Sequence, residues 1–241
     1  MSKWIGASRV GVEKQMVGRA VLRVVALAGA VASAFFMTAG AASAAMSFRF
    51  AQAGDAQTCG AKCPQIIVAE GEIVEQTPRD FIDFLRSQKL GNNVYAVVLI
   101  NSPGGRVVAS MEFGRLLRRA GAAVIVAKPV EAGGEMRFAA GRCYSACVYA
   151  LMGAKKRVVP PQSRVGIHRM FLYERVGQLD GTTKLTKTFA QNEMVNKLGD
   201  YAGMMGVSRE LVYTAEKTPS ETFRLLTPSE IRRWHLASEK F

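Results

Sequence analysis

The feature that most constrains the fold is an apolar run from Val94 to Ile100, followed at once by Asn101-Ser102-Pro103-Gly104-Gly105. A run this short between turn residues is typical of a strand buried on both faces, as in parallel sheets. A helix is predicted from about Val107 to Arg119, and a second buried strand from Ala122 to Ala127. Strand, helix and strand in this order predict a right-handed crossover and an α/β fold.

Composition places the 241-residue chain among globular proteins, because 49% of its residues are hydrophobic and 21% are charged. The net charge is +13, of which the first 44 residues contribute +4. The other basic residues are scattered among 18 acidic ones. Nucleic-acid binding requires a focused basic stripe with interleaved aromatic residues, and the sequence has none. We therefore predict no nucleic-acid partner.

Residues 1–44 have the organisation of a signal peptide. A basic region precedes an uncharged stretch from Val24 to Met46, and Ala42-Ser43-Ala44 matches a small-x-small cleavage signal. We predict cleavage before Ala45 and export to a periplasmic type of compartment. The alternative is an uncleaved anchor that associates the protein with a membrane, since 23 uncharged residues are enough to span a bilayer.

Export makes all four cysteines, Cys59, Cys63, Cys143 and Cys147, candidates for disulfide bonds. Four cysteines allow three pairings, and the sequence does not choose among them. Two C-x3-C spacings without suitably placed histidines are a poor zinc signal, so we predict no metal and no other cofactor. Residues 45–64 are interpreted as a linker that carries two of the cysteines, and residues 65–241 as one domain.

Two helices near the C-terminus are also predicted. Thr182 to Met205 is interpreted as one longer helix, which is either a candidate oligomer element or a plain surface helix. Thr227-Pro228-Ser229-Glu230 is a capping box with proline in the first turn, which predicts a terminal helix.

A serine and a histidine supply candidate chemistry. Ser145 lies where a tight turn becomes a helix, whose N-terminus favours developing negative charge. His168 ends a predicted strand that begins at Arg164, at an edge where active-site residues collect in α/β folds. The N–H groups of the Gly104-Gly105 turn and of Ala146 are candidate donors to an oxyanion. The alternative is a capping serine and a structural histidine.

A serine peptidase also needs an acid to orient the imidazole. Four residues are candidates on position alone, and their spacing does not select one: Asp180, Asp200, Glu216 and Glu221. The second histidine, His235, lies in the terminal basic helix and is interpreted as structural or exposed.

Four segments together resemble the Clp-type (caseinolytic) serine peptidases of the Clp/crotonase superfamily. They are Ile100–Gly105 (INSPGG), Gly141–Ser145 (GRCYS), Gly153–Arg157 (GAKKR) and Ser163–His168 (SRVGIH). The order and rough spacing of the segments agree from about residue 66 to the C-terminus. The resemblance implies repeated β-β-α units around a parallel sheet, with the helix from Thr182 to Met205 protruding.

The resemblance also implies site roles. Ser145 is the expected nucleophile, His168 the base, Glu221 the acid, and Gly105 and Ala146 the oxyanion donors. The implied protein is a homo-oligomeric serine hydrolase that cleaves peptides or unfolded proteins, without ATP once exported. Cys143 and Cys147 beside the serine depart from the family pattern and leave an alternative open, a catalytically inactive scaffold on the same fold.

Some relatives use a serine and a lysine instead of a serine and a histidine. Lys155 and Lys156 are the residues that could be proposed for that role, but both are expected to face water.

Overall fold

The computed structural model describes residues 44–52, 54, 64–88, 96–132, 135–178 and 181–241. The predicted signal peptide lies outside these residues except for Ala44, as do Cys59, Cys63 and Asp180. Within the described ranges, no helix has both the length and the apolar character needed to cross a membrane.

A sheet of six strands forms the central layer of the described part. The strands are β1 (Ser47–Gln52), β2 (Gln65–Glu70), β3 (Val97–Asn101), β4 (Ala123–Ala132), β5 (Glu135–Ala140) and β7 (Lys156–Val158). Strands β2, β3 and β4 are parallel, and β7 pairs in parallel with the first part of β4. The antiparallel strands β1 and β5 pair with β2 and with the second part of β4. The predicted α/β class with a parallel sheet is therefore confirmed.

The predicted crossover is present. Helix α1 (Thr77–Ser87) connects β2 to β3, and helix α2 (Val107–Arg119) connects β3 to β4. The first helix packs on the sheet through aromatic rings: Phe81 lies 5.1 Å from both Phe48 of β1 and Phe113 of α2, measured between ring centroids. Phe81 and Phe113 are fully buried and Phe48 is partly buried, and their contacts stabilise the packing of this layer.

A second, smaller sheet carries the candidate site. It contains β6 (Arg142–Tyr144), β8 (Arg164–Ile167) and β11 (Arg224–Leu225), and β6 and β8 run parallel. Ser102, just after β3, forms a parallel bridge with Cys143 of β6. The hydroxyl of Ser163 donates to the carbonyl of Val126 in β4 at 2.6 Å. Through the bridge between Ser102 and Cys143, strand β6 is joined to the carboxyl end of β3, where the Gly104-Gly105 turn begins.

The remaining elements surround this sheet. They are α3 (Cys147–Gly153), β9 (Phe171–Gly177), β10 (Thr183–Phe189), α4 (Asn192–Met204), α5 (Glu210–Glu216) and α6 (Pro228–Arg233). Helix α3 is completely buried. Helix α6 begins with the predicted capping box: Thr227 Oγ1 accepts from Glu230 N–H, and the Glu230 carboxylate accepts from Thr227 N–H.

The single helix predicted from Thr182 to Met205 is wrong in its first half. Residues Thr183–Phe189 form β10, which pairs antiparallel with β9 in an exposed hairpin, and helix α4 starts only at Asn192. The sequence of β10, TKLTKTF, is rich in β-branched threonine, which fits a half-exposed pleated strand better than a helix. The apolar spacing of four that favours a helix holds for Met194 and Leu198, which both belong to α4.

Candidate active site

The turn between β6 and α3 presents Ser145. Its backbone has a φ of +53°, in the left-handed region that non-glycine residues rarely adopt. The N–H of Ser145 donates to the carbonyl of Gly166 in β8 at 2.8 Å, and the N–H of Tyr144 donates to the carbonyl of Ser102 at 3.1 Å. A conformation of this kind costs of order 1–3 kcal/mol and persists only where the surroundings determine it. Here the neighbouring strands hold the turn from both sides.

A disulfide bond closes this turn. Cys143 and Cys147 are bonded to each other across Ser145, their Cα atoms lie 5.2 Å apart, and both side chains are fully buried. This pairing is one of the two local pairs that the sequence left open. The pairing of Cys59 and Cys63 lies outside the described residues. The serine is consequently the middle residue of a five-residue covalent loop.

His168 follows β8 directly and faces the serine. Its Nε2 atom lies 2.7 Å from Ser145 Oγ, a hydrogen-bond distance. Burial lowers the pKa of His168, because a desolvated imidazole is less stable in its charged form. A hydrogen bond with the Arg169 backbone raises this pKa, the charge of Lys187 lowers it and the charge of Glu221 raises it, each with a smaller effect than burial. The neutral ring, which is able to accept a proton from the serine, is therefore favoured.

Aromatic rings support the imidazole. The ring of Phe223 meets it edge-on, with centroids 5.0 Å apart, and the ring of Phe171 lies 5.8 Å away. Phe223 also stacks on Tyr144, next to the serine, at 4.9 Å. These aromatic contacts were not predicted from the sequence. This packing helps to fix the plane of the histidine ring, in addition to the hydrogen bond between Nε2 and Ser145 Oγ.

The second ring nitrogen of His168 has no acid partner. Nδ1 is buried and makes no hydrogen bond of regular geometry among the described residues, although the Arg169 backbone lies close enough to the ring to favour its protonated form. Glu221, the acid implied by the resemblance, is instead 2.6 Å from Lys187 Nζ and accepts from the Ser220 hydroxyl at 2.7 Å. These two hydrogen bonds are the main cause that lowers the pKa of Glu221 to about 2. The predicted acid is an ionised carboxylate close to the site, but its contacts are with Lys187 and Ser220.

The other proposed acids also have different partners. One oxygen of Glu216 accepts from the N–H of Met170 at 3.1 Å, and the other lies 3.8 Å from Arg169 Nε. Asp200 pairs with Arg209 at 2.9 Å. Glu216 therefore anchors the segment that follows the histidine, without touching the ring.

Lys187 is a charged neighbour of the site that was not predicted, because the sequence pattern of its segment favoured a helix. It lies on β10, and its Nζ atom is 4.3 Å from the centre of the Phe171 ring and 2.6 Å from Ser220 Oγ. Lys155 and Lys156 are exposed, as predicted, and line a different cavity.

The Gly104-Gly105 turn lies against the serine. The φ values are +110° at Gly104 and +134° at Gly105, and a Cβ atom added to Gly104 would lie 2.8 Å from Ser145 Cβ. A bridge to Ile73 holds the turn. The N–H of Ile73 donates to the carbonyl of Gly104, and the N–H of Arg106 donates to the carbonyl of Ile73, both at 2.7 Å. Side chains at both positions are excluded because they would collide with neighbouring backbone atoms.

Two backbone N–H groups remain available beside the serine. In the described part of the chain, neither the N–H of Gly105 nor that of Ala146 is donated to a protein acceptor. Both residues line the same cavity as Ser145 and His168. This cavity of about 450 Å³ has both polar and apolar walls, and Val107, Val148, Met170 and Leu211 contribute to the apolar part. Four of the five sequence-predicted site residues thus meet in one cavity, and Glu221 lies outside its lining.

Comparisons with known proteins give likenesses of fold alone. No protein-family model and no curated protein matches the chain. Two similar solved structures are mutants of the 1510-N membrane-bound stomatin-specific protease. The first, a serine-to-alanine mutant, is 15% identical with a TM-score of 0.45, over 70% of this chain and 76% of that chain. The second, a lysine-to-alanine mutant in complex with a substrate peptide, is 16% identical with a TM-score of 0.44, over 70% and 72%.

Proposed function

We propose that the chain is a serine hydrolase that cleaves peptide bonds through Ser145 and His168. The observation that carries this proposal is the 2.7 Å distance between Ser145 Oγ and His168 Nε2 at a cavity that also exposes the N–H groups of Gly105 and Ala146. Nucleophile, base and oxyanion donors are the parts that acyl transfer needs.

The proposed reaction has two steps. Ser145 Oγ attacks the carbonyl carbon of the substrate while His168 Nε2 takes the hydroxyl proton. The N–H groups of Gly105 and Ala146 donate to the resulting oxyanion. The imidazolium then gives its proton to the leaving amine as the C–N bond breaks, and an acyl ester remains on Ser145. Water, deprotonated by His168, hydrolyses this ester and restores the serine.

The substrate class in this proposal is a peptide or an unfolded protein. The apolar part of the cavity wall beside the serine is suited to a hydrophobic side chain. The chemistry described above requires no nucleotide. Export and signal cleavage before Ala45 remain part of the proposal on the evidence of the N-terminal sequence. N-terminal sequencing of the protein recovered from cells tests this part, with Ala45 as the expected first residue.

Self-association also belongs to the proposal. The hairpin of β9 and β10 leaves large apolar side chains exposed, among them Tyr173 and Leu185. Light scattering on the purified full chain is expected to give a mass above that of the 26.1 kDa monomer.

A catalytically inactive scaffold is the second candidate. It is favoured by the absence of an acid on His168 Nδ1 among the described residues. Such a protein would bind a peptide in the same cavity without cleaving it.

Hydrolysis of an unfolded protein and of a fluorogenic peptide library, in a buffer without nucleotide, separates the two candidates. Cleavage by the full chain that disappears in Ser145→Ala supports the hydrolase. An exposed serine outside the lining of the cavity, Ser229, provides the control variant Ser229→Ala, which should retain the wild-type rate. Cleavage that persists in Ser145→Ala, or peptide binding without any cleavage, contradicts the proposal.

A further inference from the structure

Catalysis by His168 requires that its second ring nitrogen, Nδ1, carries a proton. Nε2 must accept the serine proton, so the neutral ring carries its own proton on Nδ1. In this structure Nδ1 is buried and makes no hydrogen bond of regular geometry among the described residues. The charge that develops on the ring during the reaction would therefore lack a compensating carboxylate, which makes the histidine a weaker base than its geometry allows.

A carboxylate and an ammonium group lie close enough to influence the ring. The charged groups that face it are Glu221, from the segment before β11, and Lys187, from β10. On the segment that continues from the ring, Arg169 approaches Glu216 of α5, and the guanidinium carbon of Arg169 stacks over Phe189 at 4.1 Å. Glu221 is the carboxylate of this group that is not engaged in holding the backbone after His168.

Lys187 is the better fixed partner of the Lys187–Glu221 pair. Its side chain is 24% exposed, lies over the ring of Phe171 and donates to Ser220. The side chain of Glu221 is 67% exposed at the rim of the site. An ion pair with one partner so exposed is weak and is readily broken. Release of the pair would leave the lysine in place and free the carboxylate.

On the basis of the proposed hydrolase function, we infer that Lys187 is a positioning residue that keeps the Glu221 carboxylate away from His168. The site as described is a restrained form, in which nucleophile and base are aligned while the acid is withheld. Opening of the Lys187–Glu221 contact lets Glu221 accept from Nδ1–H and completes the triad.

The test compares Lys187→Met with Lys187→Arg, which keeps the charge. Lys197 forms a similar exposed contact of 2.7 Å with Glu193 on α4, outside the site, so Lys197→Met is the matched control. The sequence contains two histidines, so imidazole NMR of the full chain follows His168 with little overlap. In Lys187→Met we expect the His168 pKa to rise and kcat/KM to increase about fivefold, a gain limited by the strength of one exposed ion pair. Lys187→Arg and Lys197→Met should have the His168 pKa and the kcat/KM of the wild type.

The double variant Lys187→Met/Glu221→Gln distinguishes release of the acid from simple loss of a positive charge. If Glu221 reaches the ring, the rise in the His168 pKa and the increase in kcat/KM both disappear in the double variant. A His168 pKa that stays raised in the double variant overturns the inference, as does a Lys187→Met variant with the wild-type pKa and reduced kcat. The NMR titration does not depend on turnover. A chain that hydrolyses nothing but shows the expected pKa changes would therefore contradict the proposed function and leave this inference intact.

Discussion

The nucleophile side and the acid side of the candidate site are built in opposite ways. Ser145 lies in a turn that is closed by a buried disulfide, bridged to β3 and hydrogen-bonded to β8. Glu221 lies on an exposed segment and is held by contacts with Lys187 and Ser220. Substitutions near the serine should therefore act through rigid geometry and have large effects. Substitutions near the acid should act through charge and have modest ones.

The largest effect is expected where the glycine turn meets the serine. A methyl group at Gly104 would lie 2.6 Å from the carbonyl oxygen of Tyr144 and 2.8 Å from Ser145 Cβ, so Gly104→Ala must displace the nucleophile turn. A displacement of about 1 Å costs on the order of 10²-fold in rate. We expect a loss of kcat of that size, measured by steady-state peptide hydrolysis.

Gly206→Ala is the control for this prediction. Gly206 also has a positive φ, +78°, but open space surrounds the position of its Cβ atom. Both variants carry backbone strain, and only the variant at Gly104 meets the nucleophile turn. A Gly104→Ala enzyme within threefold of the Gly206→Ala enzyme would show that the turn is less rigid than we infer.

Removal of the disulfide is expected to have an intermediate effect. Closing a five-residue loop stabilises a protein by about 2 kcal/mol in the chain-entropy model, so Cys143→Ala/Cys147→Ala should unfold at lower denaturant concentration. Because the disulfide also holds Ser145 in the left-handed region, we expect kcat to fall by about tenfold under conditions where the variant is folded. Denaturant unfolding and kcat are measured on the same sample. Reduced stability with an unchanged kcat would limit the disulfide to a stabilising role.

The smallest of these effects is expected in the pH dependence of kcat/KM and of the unfolding free energy. Burial lowers the pKa of His168 below its ordinary value of 6.5, so neutral imidazole persists at lower pH than in a free histidine. Activity should rise with pH, with the midpoint of the kcat/KM profile below 6.5. The same shift makes the unfolding free energy fall as pH drops from 6.5 through the folded pKa, because protonation favours the unfolded chain. A midpoint at or above 7 would contradict the assignment of His168 as the base.

Local pattern in the sequence predicted much of the fold and part of the site. The apolar run before Asn101 identified a buried parallel strand, and β4 continues beyond the predicted end at Ala127 as far as Ala132. The meeting of Ser145 and His168 followed from their positions at the ends of two segments that the fold brings together. The Thr227 capping box was predicted because its partners are only three residues apart.

The features that the sequence did not predict depend on contacts between distant segments. Phe223 supports a histidine 55 positions earlier, and Lys187 pairs with Glu221 across 34 positions. The threonines of β10 indicated a strand, but its pairing with β9 is what places Lys187 over Phe171. The disulfide is a local exception, because Cys143 and Cys147 are only four residues apart. The four cysteines allowed three pairings, and the sequence did not select the one that contains this bond.

Activation of Ser145 by His168 underlies the proposed function, and covalent labelling by a fluorophosphonate probe detects an activated serine directly. Intact-mass and peptide mass spectrometry of the labelled full chain should show one adduct, located on Ser145. Labelling should be abolished in Ser145→Ala and in His168→Ala, while Ser229→Ala should be labelled at the wild-type rate. Labelling that persists in both Ser145→Ala and His168→Ala, or an adduct on another residue, would contradict the activation of Ser145 by His168.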